Sequence, residues 1–241
     1  MSTSFEKYSD ILLDAFISNN KAADITLKKK EILEELFDYY DCDPKSILFL
    51  GFSPGLLKLP NMDVTVSEVS DMVKSFLKDS GVNCTYKSYQ DLGRHKFDVV
   101  VAVDEYLTFA ESDQEQRDRV ELLSSITNRF IITTLRDYKN QDFKDREFSQ
   151  PIAIRNDSGK KIYFENYDYD AHDRNACLGT SYCVSDQDVT VIGPFARRSM
   201  FFKQLAKFSL DAGATNFLVH KNLMHKSIIK KNYEHIITIR F

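Results

Sequence analysis

The residues best placed to do chemistry are a pair of glycines and a set of spaced carboxylates. The stretch Ser46-Ile47-Leu48-Phe49-Leu50-Gly51-Phe52-Ser53-Pro54-Gly55-Leu56-Leu57 runs from an apolar segment into a bend flanked by Gly51 and Gly55. Gly51 lets the backbone turn sharply, and Gly55 lets it pass a ligand without a Cβ in the way. Glu68 follows 17 residues after Gly51, near the roughly 20-residue spacing at which an acid meets a ribose in nucleotide-binding βαβ units. A glycine turn alone is as often only a tight turn. The spaced acid tips the reading to a nucleoside half-site, with Ser53 able to hydrogen-bond the ligand.

Such a site needs strands to aim it. Ile47 to Gly51 is too short for a helix and apolar throughout, so it reads as a strand buried on both faces. Asn61 to Glu68 is a second strand, Val82 to Ser88 a third and Phe97 to Asp104 a fourth, while Arg129 to Leu135 is a fifth. Apolar residues at helical spacing predict helices over 4–17, 24–41, 69–80, 115–125 and 198–211, with Gly81 and Gly213 as stops. Strands alternating with helices predict a mostly parallel sheet covered on both faces, in which ligands sit beyond the carboxyl ends of the strands. Gly51, Glu68, Asp91 and Asp104 all fall at those ends. The two helices within residues 1–44 are read as cover for a sheet edge or as a lid over the ligand mouth. Residues 45–241 are read as one α/β domain, interrupted by a polar insertion at about 137–197. Within it, 152–155 and 161–166 form a hairpin turning at Asn156-Asp157-Ser158-Gly159, and 182–184 pairs with 188–192. Two closing strands, 216–220 and 235–241, flank a Lys-rich connection.

The 241 residues suffice for one large core, and 43% hydrophobic with 28% charged is the balance of an ordinary globule. A net charge of −4 argues against a protein wrapped in nucleic acid. Cys42, Cys84, Cys177 and Cys183 show no metal spacing, so no metal is expected and the thiols read as reduced. Without a secretory leader or a membrane-length apolar run, the expected location is the cytoplasm.

Together these features resemble the class I S-adenosylmethionine-dependent methyltransferases over Ile47–Leu135 and again in the closing strand pair. Phe49-Leu50-Gly51-Phe52-Ser53-Pro54-Gly55 looks like the family's first motif, with Phe49 in place of its acid and Ser53 in place of its middle glycine. Val66-Ser67-Glu68-Val69-Ser70 looks like the second motif, whose acid holds the ribose. Gln90-Asp91-Leu92 sits where an acid approaches the adenine, and Asp104 ends the strand that reaches the methionine part. The resemblance implies a Rossmann-like seven-stranded sheet closed by an antiparallel hairpin. It also implies S-adenosylmethionine as cofactor, held by Gly51, Phe52, Ser53, Gly55, Glu68, Val69, Asp91, Leu92 and Asp104. Including Arg136-Asp137-Tyr138-Lys139-Asn140 and His220-Lys221-Asn222-Leu223-Met224, the pattern also resembles methyltransferase-like proteins of marine cyanobacterial phages.

Methyl transfer needs chiefly in-line positioning and exclusion of water, with a base only where the acceptor must lose a proton. The acceptor-side candidates are Asp104, Tyr106, Arg136, Asp137, Tyr138 and His172. For each the plainer reading is structural: a surface pair for Arg136 and Asp137, a solvated loop for His172. No base-methylating Asp/Asn-Pro-Pro-Tyr/Phe element and no Pro-Cys nucleophile follows the fourth strand, so a small molecule or protein side chain is favoured over nucleic acid. The aromatic run 163–169 reads as hairpin packing or as a stacking surface. Lys28 to Lys30 read as a solvated face. Arg197 and Arg198, placed at a helix start, or Lys221, Lys226, Lys230 and Lys231, are candidate contacts for an anionic partner. The competing readings are a non-catalytic scaffold with the same fold and, because the glycine phasing is wrong for it, less favourably a nicotinamide-dependent oxidoreductase.

Overall fold

A computed structural model describes residues 4–59, 62–136, 145–156, 159–229 and 233–241. Seven strands form the main sheet in the order β11-β12-β5-β4-β1-β2-β3. β1 (Ser46–Leu50), β2 (Asp63–Ser67), β3 (Cys84–Lys87), β4 (Phe97–Ala102) and β5 (Thr127–Leu135) run parallel, and β12 (Tyr233–Arg240) and β11 (Asn216–Lys226) close the sheet antiparallel. This is the expected α/β class. The central strands are buried on both faces: Ile47, Leu48, Val99 and Val100 are fully enclosed. Continuous apolar runs therefore stand where a half-exposed strand would alternate. Asp98 fixes the start of β1 by accepting hydrogen bonds from the Lys45 and Ser46 amides.

Among the described residues, five α-helices surround these strands: α1 (Ser4–Ile17), α2 (Ala22–Tyr39), α3 (Asp71–Asp79), α4 (Asp113–Ile126) and α5 (Phe202–Asp211). Ser70 and Ser112 cap α3 and α4 through the Val73 and Glu115 amides. α2 lies along the face carrying Val101, Ile132 and Ile236, with Phe37 and Tyr40 against Phe130. The described residues between β1 and β2 hold only one 3-10 turn, Pro54–Lys58. Parallel strands usually need a crossover helix. Here α2, from upstream in the chain, packs against that turn; a Cβ on Gly55 would touch Leu33 and Lys29 of α2 at 3.2–3.4 Å.

α1 is buried on more than one side, at Phe5, Tyr8, Ser9, Ile11, Leu12, Leu13, Ala15 and Phe16. A surface helix would show one apolar stripe. This one is enclosed because it lies between the carboxyl ends of β1 and β2 and a second sheet. The inserted region forms that sheet: β6 (Arg146–Phe148), β7 (Ile152–Asn156), β8 (Gly159–Tyr169), β9 (Ala176–Ser185) and β10 (Val189–Arg198), all pairs antiparallel.

Three expectations are corrected. The polar insertion is a five-stranded sheet, more than the pair of short hairpins read from sequence. Arg197 and Arg198 do not open a helix. They close β10, paired with Cys177 and Ala176, and the helix starts at Phe202. The long connection near the C-terminus is mostly strand, since β11 continues past a bulge between His220 and Met224 to Lys226. Among the described residues no helix is long and apolar enough to cross a membrane.

Candidate functional site

The strand order reverses at β1, with β2 on one side and β4 on the other, so the crevice beyond β1 and β4 is the topological switch point where open α/β sheets hold ligands. Three acids end strands there. Glu68, Asp104 and Glu105 all have positive φ, at 53°, 57° and 58°, a conformation uncommon outside glycine and costing on the order of 1–3 kcal/mol each. All three are buried. The backbone thus sacrifices stability to turn three carboxylates back over the sheet edge.

Gly51 takes the left-handed turn that its position suggested, φ 78°, and its amide donates to the Ser67 carbonyl at 2.8 Å. That bond sets Glu68 directly beside the end of β1. Glu68 shares its surroundings with Tyr89, Tyr106 and the Arg119 guanidinium. Burial first, and then the Glu68 charge, push the Tyr106 phenol well above its ordinary pKa. Arg119 lies 5.2 Å over the Tyr106 ring and pairs with Glu115 at 3.0 Å. Val69 and Leu92 are buried in the core. Asp91 instead is exposed and accepts a hydrogen bond from Ser88 at 2.6 Å.

The bend beyond Gly51 is covered by α1. A Cβ on Gly51 would come within 2.3 Å of the Phe5 ring and 2.8 Å of Ser9 Oγ, and the Phe52 amide donates to that same Ser9 oxygen at 3.3 Å. Phe5 also packs edge-on against Tyr106 and Phe109. Phe52 turns away, into the core between Phe16 and Phe76. Gly55 faces α2, so the expectation that it passes close to a ligand is not met; its smallness admits a helix.

Asp104 belongs to a second buried group. His225 Nε2 lies 3.0 Å from Asp104 Oδ1, and the Lys29 ammonium lies 2.9 Å from His225 Nδ1 and 2.8 Å from the Lys226 carbonyl. The Lys29 ammonium also lies 3.2 Å from His225 Nε2, so it approaches both ring nitrogens. Glu234 joins through Thr134, which donates to it at 2.5 Å. Asp104, His225 and Glu234 bring ligand-type atoms within 4.8 Å of one another, and Lys29 is the cation beside them. Burial draws the Lys29 pKa down to about 8, against the opposing pull of Asp104 and Glu234. Ser53 and Val103 border the same small void as Lys29 and His225.

Glu105 faces the inserted sheet. It lies 3.6 Å from Arg136 and 3.9 Å from Arg197, and Arg197 reaches Glu165 at 3.1 Å while stacking 3.6 Å from the Phe109 ring centre. Burial alone would lower the Arg197 pKa, but the facing carboxylates raise it. Arg198 is held by Asp113 and Asp173. Both arginines thus have partners within the chain. His172 sits in an exposed loop, away from these groups, its amide donating to Asp170. Asp137 and Tyr138 lie outside the described residues, as do Lys230 and Lys231; Lys221 is exposed. The aromatic run packs as a hairpin does: Phe164 stacks on Tyr182 at 4.8 Å, and Tyr163 donates to Asp14.

Arg119, Glu234 and His225 were not singled out in the sequence, while Lys29 was read only as part of a solvated face and Arg197 only as a contact for an anionic partner. They come from α2, α4, β10, β12 and β11 and meet Asp104, Glu68 or Glu105 only through the fold.

No protein-family description and no curated protein matches the sequence. Solved structures do match in three dimensions. The DesVI structure from Streptomyces venezuelae superposes with a TM-score of 0.67 at 12% identity, covering 90% of this chain and 91% of that one. The CcbJ methyltransferase of Streptomyces caelestis gives 0.62 at 14%, covering 88% of each chain. CalS10, an amino pentose methyltransferase from Micromonospora echinaspora solved with S-adenosylmethionine bound, gives 0.60 at 9%, covering 93% and 92%. With its sheet order and its glycine turn at the switch point, this chain has the fold of the class I S-adenosylmethionine-dependent methyltransferases.

Proposed function

We propose that this protein binds S-adenosylmethionine at the Gly51–Glu68 edge and transfers its methyl group to a small-molecule acceptor. The observation that carries the reading is the left-handed Gly51 turn bonded to Ser67, which sets the buried Glu68 carboxylate beside the end of β1 at the switch point. The chemistry of the residues fits an adenosyl group: Glu68 for the ribose hydroxyls, Val69 and Leu92 as apolar walls, and Ser53 with Asp104 toward the amino-acid end. The space beside Gly51 fits only once α1 has moved, because Phe5 and Ser9 fill it. When bound, the cofactor supplies an electrophilic methyl carbon on sulfur.

The chain's own residues then hold, orient and exclude water. The second sheet and α1 roof the edge, and the His225 ring is held against Asp104 beside it. The fold neighbours named as methyltransferases, one of them for an amino pentose, support a small acceptor. One observation favours a second reading, binding without transfer: the Phe5 and Ser9 contacts close the bend in the form described here.

Calorimetric titration with S-adenosylhomocysteine tests the proposal. Binding that falls at least about tenfold in Glu68→Ala, the loss of roughly one strong hydrogen-bonded contact, is the expected result. No heat with the wild-type chain overturns it, and binding with no turnover on any small-molecule pool favours the second reading.

A further inference from the structure

Among the described residues, one set of metal-ligand-type side chains converges, and three strands of the main sheet bring it together. Asp104 follows β4, while His225 on β11 and Glu234 on β12 are direct cross-strand partners beyond the β11 bulge. Opposite residues on paired strands turn their side chains to the same face. All three residues are buried, and their nitrogen and carboxylate atoms lie within 4.8 Å of one another. His225 Nε2 stands 3.0 Å from Asp104 Oδ1. Two neighbouring ligand atoms around one ion, at bond lengths of about 2.0–2.2 Å, are spaced in the same way.

The set is also braced from behind. Glu234 accepts from Thr134 at 2.5 Å, and Thr134 Oγ1 in turn accepts from the Glu105 amide at 3.2 Å. Outer hydrogen bonds of this kind fix the direction of a ligating carboxylate. A void of about 20 Å³ adjoins His225, bordered by Ser53 and Val103, and one water needs about 10–15 Å³. Three protein ligands with one water complete an open transition-metal site. Two buried carboxylates call for positive charge, and the Lys29 ammonium supplies one charge for two. Lys29 borders the void and also the wider groove beside α2, so its flexible stem can carry the ammonium outward.

We propose that Asp104, His225 and Glu234 ligate one divalent transition-metal ion, which replaces the Lys29 ammonium as the cation of the cluster. Two carboxylates then balance two positive charges. An imidazole beside two carboxylates suits zinc, cobalt, iron or manganese better than magnesium or calcium, which favour oxygen alone. The ligands come from three strands, so no spacing along the chain announces the site, and the four cysteines take no part in it. The site shares Asp104 with the proposed cofactor edge but does not depend on methyl transfer.

The test uses the full chain, treated with a chelator and dialysed, then titrated with Zn2+, Co2+ and Mg2+ by calorimetry and with Co2+ by visible absorption. Zn2+ and Co2+ should each bind at a single site, and Mg2+ at least about hundredfold more weakly. His225→Ala and Glu234→Gln should each weaken Zn2+ binding at least about hundredfold, since loss of even an outer partner costs about 10–100-fold. His172→Ala, in an exposed loop, should leave it within about twofold, which separates this site from surface histidines. Lys29→Met keeps an unbranched stem and removes the competing charge, so it should tighten Zn2+ binding at least about tenfold. That variant decides the matter should the ligand variants fail to fold. Zn2+ affinity unchanged in a folded His225→Ala, or no gain in Lys29→Met, overturns the proposal. No uptake by either the wild type or Lys29→Met overturns it too, and leaves the lysine as the permanent cation. Zn2+ binding by a chain that takes no S-adenosylhomocysteine supports the metal site and removes only the cofactor reading.

Discussion

Lys29 lies 196 residues from His225 in sequence, yet their nitrogens are 2.9 Å apart. Its pKa of about 8 sits below the roughly 10.4 of an unfolded lysine. The unfolded chain therefore binds more protons between those two values, and this group raises stability as pH climbs from about 8 to about 10. Below pH 8 its full desolvation cost remains, set against Asp104 and Glu234. The stability difference between wild type and Lys29→Met, followed by urea unfolding, should shift in favour of wild type across that window. A pH-independent difference would mean that Lys29 is solvated. Such a residue could not be read as part of a site from sequence, where Lys28 to Lys30 look like one charged helical face. The Gly51 turn and the strand-end position of Glu68 were legible because a turn and the end of an apolar run are local patterns. Gly55 was read correctly as a close approach and wrongly as to what approaches, because the sequence does not say that α2 replaces a crossover helix.

At the level of elements, α1 is the part whose role is least ordinary. Its periodicity marked a helix, and the structure confirms the bounds Ser4–Ile17, but the periodicity could not show that the helix would be buried between two sheets. Its hold on the bend depends on a missing methyl group. Gly51→Ala should cost about 1–2 kcal/mol for the left-handed backbone alone, and more for the collision with Phe5 at 2.3 Å. Combining it with Phe5→Ala should recover about 1 kcal/mol relative to the sum of the single changes, as expected of residues in contact. Strict additivity in a double-mutant cycle would place Phe5 elsewhere. β1, β2 and β4 read almost at full length because double-sided burial writes uninterrupted apolar runs. The inserted sheet read poorly: its exposed strands, such as Val189 and Val191 on β10, lack the alternation of a one-faced core, so only short fragments showed.

Across the whole molecule, the inserted sheet and the main sheet are joined by a few buried charges. Arg197 is 4% exposed and Glu165 1% exposed, and the stem of Arg197 passes Gly179, where a Cβ would lie 3.1 Å from its Cγ. Breaking a buried ion pair from one side strands the other charge, at a cost of about 3–5 kcal/mol. Glu165→Gln should therefore destabilise by about 3 kcal/mol in chemical unfolding, and Glu165→Gln with Arg197→Met by clearly less. If the double change cost as much as the sum, Glu165 and Arg197 would not act as a pair that holds the Arg197 guanidinium toward Glu105 of the main sheet. Fold class and sheet order follow from patterns spread along the chain. The joining of the sheets rests on charges that no pattern announces.

The single 3-10 turn where a crossover helix usually runs has one more consequence. The face of β1 and β4 is sheltered by a helix made before either strand leaves the ribosome, so the N-terminal 44 residues are upholstery for the core and cannot be trimmed as an appendage. A recombinant polypeptide started at Lys45 would expose Val101, Ile132 and Ile236 as a bare oily plane. It should be recovered as clumped material, and should dissolve only when residues 4–44 are supplied alongside it as a separate peptide.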